Sequence, residues 1–126
     1  MKLLIVDDSP INHRVVALSL RHQNIDIHSA FNGLEAFELY KQTPFDVILM
    51  DARMPVMNGC EATLLIRLFE QEQQIENKAI IIAMTASDEE KDIQHCLQSG
   101  MNAFVPKPFV ASLFLELLHE KFNLLP

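Results

Sequence analysis

Phe45-Asp46-Val47-Ile48-Leu49-Met50-Asp51 decides the fold: an apolar run that delivers one aspartate at its end, followed by Ala52-Arg53-Met54-Pro55-Val56-Met57-Asn58-Gly59. A run this apolar, without polar alternation, suits a strand buried on both faces. A carboxylate at the mouth of such a strand is placed to bind a cation or to act as a nucleophile, and the rest of the chain is read outward from Asp51.

Upstream, Lys2-Leu3-Leu4-Ile5-Val6 is a second strand of the same kind, bounded by Asp7-Asp8-Ser9-Pro10. Ser9 or Asp8 as cap and Pro10 at the first helical position predict a helix from Pro10 to about His22. Its apolar residues form two stripes, Ile11/Val15/Leu18 and Val16/Leu20. One stripe packs on the sheet; the other is a docking face or the edge of a wide buried face. Ile25 to Ala30 reads as a strand, Asn32-Gly33 as its stop, and Leu34, Ala36, Phe37 and Tyr40 as a helix ended by Thr43-Pro44.

Downstream, Gly59 to about Gln73 reads as a helix with a solvated polar tail, Glu70-Gln71-Glu72-Gln73-Gln74. Lys78 to Met84 is a strand, ending at Thr85-Ala86-Ser87. Asp88-Glu89-Glu90 opens a helix with acidic residues at its positive dipole end, and Ser99-Gly100 closes it. Asn102 to Val105 is a last strand, and Lys107-Pro108-Phe109 leads into a helix ending near Phe122.

Strand and helix thus alternate with short links, and most strands are too apolar to face water. That calls for a parallel sheet with helices on both faces and right-handed crossovers. In such sheets the ligand site lies beyond the carboxyl ends of the strands. Those ends carry Asp7-Asp8, Asp51, Thr85 and Lys107, so polar residues from four separated segments are expected to meet in one crevice. Neighbouring carboxylates repel unless a cation joins them, and oxygen ligands suit magnesium or manganese. Lys107 could pair with Asp51 or an incoming phosphate oxygen, and the Thr85 hydroxyl could donate to another. Attack of the Asp51 carboxylate on phosphorus is the reaction that fits best.

On Asp7-Asp8, Asp51 with its following Met-Pro-x-Met-x-Gly, Thr85-Ala86 and Lys107-Pro108-Phe109, the chain resembles the receiver domains of two-component response regulators over essentially its whole length. The resemblance implies a flavodoxin-like fold, five parallel strands in the order 2-1-3-4-5. It implies Asp51 as phosphoacceptor from a histidine kinase or a histidine phosphotransfer protein. It implies Mg²⁺, with Mn²⁺ as a substitute, on Asp8, Asp51 and the Arg53 backbone carbonyl, and on Asp7 through a water. Thr85 and Phe104 resemble the switch pair, Lys107 the bridge to the phosphate, and the Lys107-Pro108 peptide is expected to be cis. Phe104 stands where tyrosine is commoner, so its switching would rest on packing alone. The Asp-Asp-Ser-Pro-Ile-Asn stretch resembles receivers of hybrid kinases, which makes Asn12, Ile11, Val15 and Leu18 candidates for partner docking.

The same features weigh against other functions. A phosphohydrolase working through an aspartyl phosphate needs an acid or base two positions after the nucleophile, where this chain has Arg53. A nucleotide or flavin binder is disfavoured because Asp-Asp-Ser-Pro has no glycines and repels phosphate. A binding module without phosphorylation does not explain the intact acidic set. The net charge of −7 disfavours direct nucleic-acid binding. The apolar runs fall far short of the ~20 residues that cross a bilayer. Met1-Lys2 leading into Leu3 does not read as a signal peptide. One domain over residues 1–126 is expected, cytoplasmic, either alone or as the cytoplasmic part of a larger hybrid kinase, with homodimerisation on phosphorylation left open. Cys60 and Cys96 have no CxxC spacing and no companion His at zinc-ligand distance, which argues against a disulfide or a metal role, and read as two small reduced residues. His13, His22, His28, His95 and His119 read as surface or edge histidines, with His13 nearest the crevice.

Overall fold

The computed structural model describes residues 1–86 and 90–124, with only the backbone described for 90–93. Five strands and five helices alternate: β1 (Lys2–Val6), α1 (Pro10–Ser19), β2 (Asp26–Ala30), α2 (Gly33–Gln42), β3 (Val47–Asp51), α3 (Gly59–Glu72), β4 (Ile80–Thr85), α4 (Glu90–Gln98), β5 (Ala103–Pro106) and α5 (Ala111–Glu120). The strands form one parallel sheet in the order β2-β1-β3-β4-β5. This is the expected architecture, with element ends shifted by a few residues. Asp51 and Thr85 fall inside their strands, and α1 stops three positions before His22. The acidic turn read at Asp88 and Glu89 lies outside the described residues.

The period-two geometry of the strands sorts their unbroken apolar runs into two cores. Leu3, Ile5, Val47, Leu49, Ile82 and Met84 face α1 and α5, where Val16, Leu20, Phe114 and Leu118 cover them. Leu4, Val6, Ile48, Met50, Ile81 and Ala83 face the opposite layer, where Ala36, Tyr40, Ala62, Ile66 and Cys96 cover them. Each such side chain removed from water contributes roughly 1.5–3 kcal/mol. Both faces are therefore closed, and polar chemistry is left to the strand ends.

The two stripes of α1 separate as the sheet requires. Val16 and Leu20 are buried, while Ile11 is 72% and Leu18 55% exposed, with Val15 also on the outside. The wide buried face is ruled out.

The polar tail of α3 corrects the sequence reading. Glu70 is not solvated: it is 1% exposed and accepts from the Tyr40 hydroxyl at 2.7 Å, the Ala79 amide at 2.8 Å and Arg67 Nη1 at 2.7 Å. Burial, and then the Glu70 carboxylate beside it, push the Tyr40 phenol above its ordinary pKa.

Candidate functional site

Asp7 directly follows β1, and its amide donates to the Ala30 carbonyl at 3.2 Å, so the first carboxylate is fixed by the sheet itself. Ser9 caps α1 by accepting from the Asn12 amide. That cap turns the chain so that the Ser9 amide donates to Asp7 Oδ1 at 2.9 Å and Asn12 Nδ2 to Asp7 Oδ2 at 3.1 Å. Asp7 is fully buried and Asp8, next to it, is exposed.

His13 holds the same turn from behind. Nε2 lies 2.8 Å from the Asp7 carbonyl, which can only accept, so Nε2 carries a proton; Nδ1 lies 3.1 Å from the Ser29 hydroxyl. The ring packs on Phe31 at 4.4 Å between centroids. His13 is therefore buried, which corrects its reading as a surface or edge histidine.

β3 presents Asp51 with 3% of its surface exposed. Lys107 Nζ at 2.8 Å and the Arg53 amide at 3.2 Å both donate to Asp51 Oδ1. Burial pushes the Asp51 carboxyl above its ordinary pKa, Lys107 and the Arg53 amide pull it back, and Asp7 adds to the rise. Gly59 is needed here, because a Cβ at that position would stand 2.5 Å from the Asp51 carbonyl oxygen. Its amide donates to Ala52 at 3.2 Å, which closes the loop back onto the end of β3.

β4 and β5 bring in the remaining residues. Thr85 is buried at the end of β4, and its carbonyl accepts from the Lys107 amide at 2.8 Å. Lys107 thus leaves the sheet directly towards Asp51, and the Lys107-Pro108 peptide is cis. Phe104 lies on edge strand β5 with 45% of its surface exposed, so it is not the core aromatic that its size would suggest. Pro106, without an amide hydrogen, is accommodated on the same edge strand.

The sequence-predicted acids converge: one carboxylate oxygen each from Asp7, Asp8 and Asp51 lies within 4.8 Å of the others. This all-oxygen donor set fits a hard divalent cation. Asn12 is also at the site, but bound to Asp7 rather than offered outward. Two relations escaped the sequence reading: the His13 anchor, and Cys60 against Cys96, whose sulfur atoms are 3.1 Å apart.

Residues 3–119 match the response regulator receiver domain family. The chain is 36% identical over 130 residues to hybrid signal transduction histidine kinase B of Dictyostelium discoideum, covering 97% of this chain and 7% of that protein. It is 37% identical to histidine kinase 3 of Arabidopsis thaliana, covering 97% of this chain and 13% of that one. In three dimensions it resembles the receiver domain of Saccharomyces cerevisiae Ssk1, solved with the histidine phosphotransfer signalling protein Ypd1 (TM-score 0.88, 32% identity, 95% and 87% of the two chains). The chain belongs to the response regulator receiver family. It is a receiver domain of two-component and phosphorelay systems, a phosphoacceptor in signalling rather than a conventional enzyme. Among the described residues no helix is long and apolar enough to cross a membrane.

Proposed function

We propose that Asp51 is the phosphoacceptor, taking a phosphoryl group from the phosphohistidine of a sensor histidine kinase or a histidine phosphotransfer protein. A carboxylate oxygen attacks phosphorus, the O–P bond forms, the N–P bond breaks, and the electron pair leaves with the imidazole. The observation that carries this reading is a buried Asp51 with Lys107 at 2.8 Å and two further carboxylates within 4.8 Å. The whole of residues 1–126 acts as one such domain, on the cytoplasmic side where phosphohistidine is made.

Asp8, Asp51 and the Arg53 carbonyl would hold Mg²⁺, or Mn²⁺ in its place, with Asp7 acting through a water. Once bound, the cation neutralises charge on the phosphoryl oxygens. Lys107 moves its pairing from the Asp51 carboxylate to a phosphoryl oxygen, and the Thr85 hydroxyl donates to another. Phe104 follows Thr85 inward from its exposed position, which changes the surface formed by α4, β5 and α5. Two phosphorylated copies would pair on that surface. Arg53 occupies the position where a phosphohydrolase has its acid or base, so self-phosphorylation and self-dephosphorylation at Asp51 are slow.

Ile11, Val15 and Leu18 form the docking stripe for the phosphodonor protein, supported by their exposure beside the site. The likeness to a receiver solved with a histidine phosphotransfer protein favours that class of partner. Asn12 serves the site itself, by orienting Asp7.

Incubation with Mg²⁺ and acetyl phosphate is expected to label the chain, and EDTA or Asp51→Asn to abolish labelling. Undiminished labelling of Asp51→Asn overturns the assignment. Lys107→Ala should still be labelled yet lose the accompanying conformational change, followed by NMR shifts of β5 amides. A wild-type change in that variant removes Lys107 from its bridging role.

A further inference from the structure

Cys60 lies in the first turn of α3 and Cys96 near the end of α4, 36 positions apart, and both are buried and reduced. Their Sγ atoms are 3.1 Å apart. A sulfur–sulfur bond of about 2.05 Å is therefore within about 1 Å of side-chain movement. Both residues also line a cavity of about 310 Å³ together with Arg53, Met54, Asn58 and His95. That cavity is far larger than a peroxide molecule, which occupies about the space of a water or two, roughly 30–60 Å³. Proximity and access thus coincide at one pair of nucleophiles.

We infer that Cys60 and Cys96 are a redox-modification site, a dithiol that hydrogen peroxide converts into a disulfide joining α3 to α4. Cys60, the more exposed of the two at 6% against 1%, is attacked first. Its sulfur bonds to one peroxide oxygen, the O–O bond breaks, and the departing hydroxide leaves as water with the thiol proton. Cys60 is then a sulfenic acid. The Cys96 sulfur attacks the Cys60 sulfur, the S–O bond breaks, and the oxygen leaves as a second water with the Cys96 proton. Two thiols lose two electrons and two protons, and one peroxide becomes two waters. A thiol reductant reverses the bridge by exchange.

The bridge joins two functional segments. Cys60 directly follows Gly59, whose backbone abuts the Asp51 carbonyl, so one anchor is the loop beside the acidic cluster. The other anchor is α4. The chemistry itself is independent of the role proposed for Asp51.

The test treats the purified native chain with hydrogen peroxide, blocks remaining thiols with iodoacetamide, and reads intact mass, a peptide map and thermal melting. The expected result is a mass lower by two hydrogens, a Cys60–Cys96 cross-linked peptide, no alkylation, a melting temperature raised by several degrees, and full reversal by dithiothreitol. Cys60→Ser and Cys96→Ser should each lose the cross-link and the shift. The proposal is overturned if both thiols remain alkylatable after a peroxide dose that oxidises the denatured chain, or if any disulfide found is intermolecular. The wild-type peptide map decides the matter even if a serine variant fails to fold.

Discussion

Asp51 and Glu70 are both carboxylates with almost no exposed surface, each paired to one cation, Lys107 at 2.8 Å and Arg67 at 2.7 Å. Their surroundings differ. Glu70 receives two further donors, the Tyr40 hydroxyl and the Ala79 amide, and so joins α2, α3 and the segment leading into β4. Among the described residues Asp51 receives one backbone amide, and it has carboxylates of Asp7 and Asp8 beside it. A satisfied buried charge acts as a structural clasp, whereas one set among like charges retains affinity for whatever brings positive charge. The same side-chain chemistry thus holds the fold at one place and, in the role proposed for Asp51, would hold a reactive carboxylate at the other.

The largest expected effect on stability comes from breaking the clasp. Glu70→Ala strands the Tyr40 hydroxyl, the Ala79 amide and part of Arg67 at once, and should cost about 3 kcal/mol in urea unfolding. Labelling by acetyl phosphate should survive in the folded fraction. A loss below about 0.5 kcal/mol would show that water satisfies those donors and that the contrast with Asp51 is false. Tyr40→Phe is milder, because the Ala79 amide and Arg67 still satisfy the carboxylate, and about 1.5 kcal/mol is expected by the same measurement.

The two sites were unequally legible in the sequence. Each residue of the acidic site stands at the end of an apolar run, so the strands that define the fold also point out Asp7, Asp51, Thr85 and Lys107. Glu70 was hidden in a polar tail that ends a helix. A sign of its burial was present nonetheless, since Ala62, Ile66 and Glu70 recur at four-residue spacing on the buried face of α3. His13 and the cysteine pair carried no comparable sign. His13 bonds Ser29 on a neighbouring strand, and the distance from Cys60 to Cys96 is set by how α3 packs on α4, which no local spacing encodes.

The smallest effect has the most informative sign. The Asp51 carboxyl in the folded chain titrates above the unfolded value of about 3.9, chiefly because of burial. Its stabilising contribution is therefore fully present below about pH 3.9 and is lost as pH rises through the folded-state value. At pH 7, without a divalent cation, the ionised group weighs against folding. Asparagine carries no charge to desolvate, and its Oδ1 can still accept from Lys107 and the Arg53 amide. Asp51→Asn should consequently be more stable than the wild type in EDTA at pH 7, and the difference should shrink as pH falls towards 4. Added Mg²⁺ should narrow the gap by stabilising only the wild type. If urea unfolding at pH 7 finds the asparagine variant less stable, attraction to Lys107 outweighs burial. Asp51 would then be held as Glu70 is, and the distinction between clasp and reactive group would rest on Asp7 and Asp8 alone.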